Sequence, residues 1–245
     1  MILQKYGWDE GWGILLRAMG NAGGFTHSAS DIAKEISAGQ SVAGMVIDTY
    51  AFVQIEQDGA DLIGFTLPQG ETTFTPDPVS VIKGTGRLGL ARRFIEFLLS
   101  PEGQAIWLLP AGSPGGPEKH NLWHFPVLPE VYRAHKGGML IEESPFESFA
   151  SLKYDEKKGN KRSRLLTLLF TAAAVENRAG LKAAWKEALG RPGGAAGTVF
   201  ARFPLDEAAA MKKAESIKDS IDSERVEEEL YRLFKEAYLR SMEGK

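Results

Sequence analysis

The fold predicted from the sequence depends most on residues 41–54, SVAGMVIDTYAFVQ. Small and apolar residues run from Val42 to Ile47, and an aspartate, Asp48, follows directly. In a β-strand, Val46, Asp48 and Tyr50 would share one face, because side chains alternate between the two faces. A carboxylate buried on that face is costly unless another group pairs with it. The run therefore predicts a buried strand that ends in a polar site, and the plain alternative is that Asp48 caps a helix or forms an ion pair.

Helical and strand-like patterns alternate through the first 107 residues. Apolar spacing predicts helices over residues 8–20, from Ser28 or Ser30 to Gly39, over 51–59 and over 90–107. Compact apolar runs predict strands over 41–47, 61–68 and 78–83. Such alternation is typical of an α/β protein.

The second half of the chain differs in composition and in the spacing of its apolar residues. Residues 108–132 are rich in proline and glycine and predict a long irregular connection. After them, the spacing of apolar residues predicts only helices, over 163–176, 178–189, 206–216 and 223–242.

Composition excludes several classes of function. The net charge of −3 offers no basic field for a nucleic acid, so we expect no nucleic-acid partner. The chain has no cysteine, which excludes disulfides, zinc–thiolate sites and thiol nucleophiles. No apolar run reaches about 18 residues, the length that would span a membrane.

Two motifs suggest enzyme chemistry, and neither is complete. Gly84, Gly86 and Gly89 form a G-x-G-x-x-G pattern before a helix, but no second parallel strand with its acidic residue follows. His120 and His124 are four residues apart, yet Asn121 stands where a zinc protease would have its catalytic glutamate. We expect no enzyme activity and no resident cofactor, and a nucleotide-dependent enzyme that uses the loop 84–89 is the alternative.

Several segments together resemble a known family. They are FTHSAS, GQSVAGMVIDTYA, LPQG, PDPVSVIKG, ARRFIEFLLSPEGQAIW and GSPGGP, and the most specific is Ala91–Gln104. Over residues 8–132 the chain resembles the extracellular solute-binding proteins of ABC importers, and among them the ferric-iron-type class. The resemblance implies a receptor that captures a small solute or metal ion between two hinged lobes and delivers it to the membrane permease of an ABC transporter.

The resemblance also implies a fold and a division of the chain. Each lobe would be a doubly wound α/β sheet of the type II periplasmic-binding-protein kind, here incomplete, with a helical C-terminal extension. Residues 1–70 would form part of the second lobe, residues 71–128 the hinge crossing and return to the first lobe, and residues 129–245 the helical extension.

By the same resemblance, the ligand site lies beyond the carboxyl ends of the strands. We therefore expect Asp48, Thr49 and Tyr50 in the site. Ser28 and Ser30 would join them, because a helix N-terminus suits an anionic or polar ligand.

Metal and hinge residues follow from the same likeness. Iron-binding members have adjacent tyrosines where this chain has Tyr50 and Ala51, so Tyr50 and Asp48 would be metal ligands only if the cargo is Fe³⁺ or another metal ion. Hinge bending would concentrate near Gly70 and Asp77.

The resemblance places the protein in the periplasm or outside the cell, although the first residues, MILQKYGWDEGW, lack the features of a secretory signal. We expect that the chain is N-terminally truncated relative to such receptors, and that a sheet within residues 24–70 leaves an open edge.

Overall fold

The structure, a computed structural model, describes residues 1–147, 152–191, 203–217 and 220–243. Its helices are α1 (Ile2–Lys5), α2 (Trp8–Asn21), α3 (Ala29–Ser37), α4 (Asp48–Asp58), α5 (Leu88–Leu98), α6 (Pro101–Ala105), α7 (Pro129–Ala134), α8 (Glu156–Phe170), α9 (Arg178–Gly190), α10 (Glu207–Ser216) and α11 (Ser220–Glu243). A π-helical turn, Thr171–Glu176, joins α8 to α9.

The described residues contain no β-strand, so the expected α/β fold with doubly wound lobes is wrong. The three segments that predicted strands, 41–47, 61–68 and 78–83, follow an irregular path instead. Val42, Met45 and Ile47 are exposed to solvent. A strand requires a neighbouring strand to satisfy its backbone groups, and none of the described residues provides one.

Most predicted helices are confirmed. The helix predicted over 8–20 is α2, and that predicted over 178–189 is α9. Ser28 is the N-cap of α3, as its position before the apolar pattern indicates. The helix predicted over 90–107 is divided into α5 and α6, because Ser100 caps a new helix with Pro101 in its first turn.

The chain divides into two compact units, Met1–Phe25 with Leu152–Lys245, and Thr26–Ser151. We call them the terminal unit and the middle unit. The terminal unit contains α1, α2 and α8–α11 around one large apolar core. Inside this core, Trp12 stacks on Phe203 with ring centroids 4.4 Å apart.

Small residues let the helices of the terminal unit approach closely. A Cβ atom on Gly20 of α2 would lie 2.9 Å from Cβ of Trp185 on α9. The π-helical turn is rich in alanine, and Ala173 accepts a 2.7 Å hydrogen bond from the hydroxyl of Tyr238 on α11. These contacts fix α9 and α11 around the turn.

The middle unit contains α3–α7 and has smaller apolar clusters. One consists of Leu108, Tyr132 and Ile141, and aromatic side chains pack against it. The helix α5 buries none of its residues. Among the described residues of both units, no helix has the length and apolar character needed to cross a bilayer.

Candidate functional site

Ser28 and Ser30 lie at the N-terminus of α3, as expected. Their hydroxyl oxygens are 2.9 Å apart and share a hydrogen bond. Thr26 adds a third hydroxyl nearby, which donates to the carbonyl of Ser28 over 2.9 Å. The first amides of a helix carry a partial positive charge, so this end of α3 suits a polar or anionic group.

Asp48 begins α4 and does not end a strand. Its carboxylate Oδ1 accepts a 2.8 Å hydrogen bond from the backbone N–H of Thr49. An acidic residue is favourable in the first turn of a helix, because it faces the positive end of the helix dipole. Of the two explanations for Asp48, the start of a helix is therefore closer to the structure than a polar strand end.

Thr49 connects α4 to a loop seventy-five residues further along the chain. Its hydroxyl donates to the carbonyl of Trp123 over 3.2 Å and lies 3.0 Å from Nδ1 of His124. With the hydroxyl proton directed at Trp123, Nδ1 of His124 is placed to donate to the hydroxyl oxygen, and in the neutral imidazole Nε2 then carries the lone pair. No hydrogen bond among the described residues uses Nε2.

Trp123 holds an unusual backbone conformation in this loop. Its φ angle is +54°. Every other residue with positive φ in the described part of the chain is a glycine. The indole N–H of Trp123 donates to Glu56 over 2.6 Å, and Glu56 also accepts from the amide of Asn121. Left-handed backbone at a bulky residue is strained, and such strain is often found at ligand sites.

One face of α4 makes all of these contacts. Thr49, Phe52 and Glu56 are spaced three and four residues apart, so they share a side of the helix. Phe52 stacks on Trp123 with ring centroids 5.6 Å apart and also contacts Phe125 at 6.1 Å. We call Thr49, Phe52 and Glu56 with residues 121–125 the α4–loop site. Phe52, Trp123 and Phe125 form its aromatic part. Thr49 and His124 lie at the N-terminal end of α4, and Glu56 lies near the C-terminal end.

Tyr50 lies to one side of this face. Its side chain is 40% exposed, and no hydrogen bond among the described residues engages its hydroxyl. Because residues two apart on a helix differ by about 200°, Asp48 and Tyr50 lie on opposite sides of α4 rather than on one strand face. The structure thus places Asp48, Thr49 and Tyr50 around one helix end, while the Ser28–Ser30 pair has no hydrogen bond to them among the described residues.

The opposite end of α4 is bonded to α3. Asp58 accepts hydrogen bonds from the hydroxyl of Ser37 and from the amide of Gln54, the latter at 2.6 Å. These bonds hold the pKa of Asp58 below its usual range, and the bond from Ser37 has the larger effect. The carboxylate thus joins the C-terminal ends of the two helices whose N-termini carry the candidate residues.

The expected hinge residues lie in irregular chain. Gly70 lies within a turn that the N–H of Glu71 closes by donating to the carbonyl of Pro68, and its φ angle is +69°, a value that favours glycine. Asp77 is exposed to solvent. Neither residue belongs to a helix.

The two enzyme-like motifs find little support in the geometry. A Cβ on Gly86 or Gly89 would meet no atom within 4 Å, whereas the second and third glycines of a dinucleotide fingerprint allow a close approach of ligand and helix. The described residues hold no group of three histidine, aspartate or glutamate side chains that could bind a metal ion.

His124, Trp123 and Glu56 were not among the residues expected from the sequence. The sequence places His124 only beside His120, as an incomplete zinc motif, and nothing local links either to α4. The one available signal was the spacing of Thr49, Phe52 and Glu56, which marks a single helix face once the segment is known to be helical.

Comparison with known proteins bears on the same residues. Residues 1–108 match the family model described as bacterial extracellular solute-binding protein. Two curated proteins named phosphoglycerate transport regulatory protein PgtC, from Salmonella typhimurium and Salmonella typhi, are 31% identical to this chain over 188 residues. The alignment covers 76% of this chain and 42% of each relative, so the chain spans less than half the length of the relatives it matches. No solved structure matches the chain significantly.

The family match and the two relatives concern related functions, namely solute binding and transport. They support a solute-binding or transport-related role for this chain. The similarity of residues 1–108 includes both helix N-termini described above, and it connects this chain to bacterial extracellular solute-binding proteins.

Proposed function

We propose that this chain belongs to the substrate-binding component of an ABC importer and that it binds a small polar solute at the N-terminal end of α4. The observation that carries the proposal is the family match over residues 1–108, which includes Ser28, Asp48 and Tyr50. Solute contacts would come from the carboxylate of Asp48, the hydroxyls of Thr49 and Tyr50, and Nε2 of His124. Ser28 and Ser30, at the start of α3, are further candidates for contacts with the solute.

We further propose phosphoglycerate, or a closely similar phosphorylated hydroxy acid, as the solute. The names of the two curated relatives support this choice, since both refer to phosphoglycerate transport. The positive end of α4 and the hydroxyl of Thr49 support it as well, and their attraction must outweigh the repulsion of an anionic solute by the carboxylates of Asp48 and Glu56. Helix N-termini and hydroxyl groups stabilise phosphate and carboxylate groups. The carboxylate of Asp48 can accept a hydrogen bond from the solute's hydroxyl.

The finer parts of the mechanism rest on the family resemblance. Binding would favour a closed form of the receptor, with bending near Gly70 and Asp77, and the closed form would dock on the membrane permease. The irregular backbone around both residues is consistent with bending. Should the cargo be Fe³⁺, only one of Asp48 and Tyr50 would reach it in this arrangement, because the two residues lie on opposite sides of α4.

Isothermal titration calorimetry with the full chain tests the proposal. We expect saturable 1:1 binding of phosphoglycerate, and little heat with glycerol, NAD or ferric citrate. Asp48→Asn should weaken binding by about 10-fold, because a neutral amide oxygen is a weaker acceptor for the solute's hydroxyl than a carboxylate is. Asp61→Asn, at an exposed position of the same unit, is the matched control and should bind as the parent chain does.

Each alternative has its own result. Binding of ferric citrate in place of phosphoglycerate would support a ferric-type receptor. A strong response to NAD would support the nucleotide-dependent enzyme. If the Asp48→Asn variant and the parent chain bind phosphoglycerate with equal affinity, Asp48 does not contact the solute.

A further inference from the structure

A pocket of about 440 Å³ lies within the terminal unit, bounded by α1, α2 and α8. Its apolar wall includes Leu3, Leu15, Leu166 and Phe170. Phe170 is 36% exposed, so the pocket reaches the surface. A volume of this size, with mainly apolar walls and few polar groups, is typical of small-molecule sites.

Trp12 supplies a buried hydrogen-bond donor in this pocket. Its side chain lines the pocket and is only 1% exposed. The indole N–H has no acceptor among the described residues. Buried donors without acceptors are rare in folded proteins, and an absent ligand or water is a common reason for them.

Arg162 supplies a buried positive charge to the lining of the same pocket. Arg162 is only 3% exposed, and burial lowers the pKa of its guanidinium. One nitrogen is paired with Glu207, and the guanidinium lies 5.7 Å from the ring centre of Trp8. A guanidinium has five N–H donors, so this single ion pair does not saturate it. None of the residues that line the pocket is an aspartate or a glutamate.

Tyr154 completes the polar side of the pocket. A Cβ on Gly159 would lie 1.9 Å from the hydroxyl oxygen of Tyr154, so only glycine permits the phenol to lie against the first turn of α8. The amide of Gln4 is already engaged, since it donates to the carbonyl of Asp155 over 3.0 Å. The indole N–H of Trp12 is therefore the polar group of the pocket that lacks an acceptor among the described residues, and the positive charge of Arg162 lies in the same lining.

We propose that this pocket binds an aliphatic carboxylate. The hydrocarbon chain packs against Leu15, Leu166 and Phe170. The carboxylate accepts the indole N–H of Trp12 and faces the guanidinium of Arg162. An apolar wall excludes a strongly polar solute, and the indole donor of Trp12 with the charge of Arg162 favours a ligand that brings an acceptor and a negative charge. The site lies in the terminal unit, and its existence does not depend on the function proposed for the α4–loop site.

Nuclear magnetic resonance of the full chain, labelled with ¹⁵N, tests the proposal with decanoate as the probe. The sequence has five tryptophans, and a Trp12→Phe variant identifies the Trp12 indole signal. We expect this signal to move on addition of decanoate and to saturate at one equivalent. Decanol, which has the same chain without the charge, should bind at least about ten-fold more weakly.

Two variants separate the pocket from non-specific binding. Leu166→Trp should fill the pocket and abolish the decanoate-dependent shift. Leu189→Trp makes the same change at an exposed position of α9 and should leave decanoate binding unchanged. A stationary Trp12 signal, undiminished binding by the Leu166→Trp variant, or equal affinity for decanol would each overturn the proposal.

Discussion

Asn177 links three helical segments of the terminal unit through one side chain. Its amide nitrogen donates to the carbonyl of Ala172 in the π-helical turn over 2.8 Å and to that of Tyr231 in α11 over 2.9 Å. The residue is buried, so water cannot replace these bonds.

Replacement of Asn177 by alanine should therefore destabilise the fold. Both carbonyls would lose a buried donor, and we expect a loss of about 1–3 kcal/mol in the free energy of unfolding. Urea unfolding followed by circular dichroism measures it. Asn21→Ala, which removes one exposed bond to the carbonyl of Arg17, is the control and should change the stability by less than about 0.5 kcal/mol. Equal effects of the two changes would show that burial of Asn177 does not matter.

At the same scale, the candidate site was only partly accessible from the sequence. Asp48, Thr49 and Tyr50 were chosen as the end of a strand, and the structure gathers them at the start of a helix. His124 could not be found, because its proximity to Thr49 arises from a loop that returns to α4 after seventy-five residues. Local patterns do not report contacts of that separation.

At the scale of elements, the contact between α2 and α9 depends on a glycine. A Cβ on Gly20 would lie 2.9 Å from both Cβ and Cγ of Trp185, which is closer than packed carbon atoms approach.

Gly20→Ala should force these helices apart. We expect a loss of about 1–3 kcal/mol in unfolding free energy, the usual cost of overpacking a core. Gly190→Ala is the matched control, because its added Cβ would meet no atom within 4 Å. This control should be neutral or stabilising by up to about 1 kcal/mol, because alanine favours a helix. Thermal unfolding compares the two variants, and a neutral Gly20→Ala would refute the close contact.

The elements also show why helices were predicted well and strands were not. The pattern of α2 or α9 specifies a helix whose backbone bonds are all local, so the segment itself contains the information. The run from Val42 to Ile47 has an apolar composition that suits a strand, but a strand forms only when another segment pairs with it. The aspartate after that run is also a common signal for a helix start, and the helix α4 indeed begins there.

At the scale of the whole molecule, the two units differ in how much they bury. The terminal unit has one large core to which α11 contributes Val226, Leu230, Phe234 and Tyr238. The helix α5 of the middle unit buries none of its residues. Local stability follows buried apolar contact, so the two helices should differ in how readily they open.

Hydrogen exchange measured by mass spectrometry tests this difference. Amides in residues 226–238 should exchange at least about ten-fold more slowly than those in residues 88–98, after correction for intrinsic rates. Equal protection of the two helices would contradict the difference in burial.

The central claim is that a polar solute binds at the N-terminal end of α4, next to His124. The most direct measurement is the imidazole NMR signal of His124 during a titration of the full chain with phosphoglycerate. The chain has four histidines, and a His124→Gln variant assigns the signal. The account predicts that this signal moves and saturates with the affinity found by calorimetry, while the signal of His135, at the C-terminal end of α7, stays in place. A His124 signal that does not move under saturating phosphoglycerate would contradict the account.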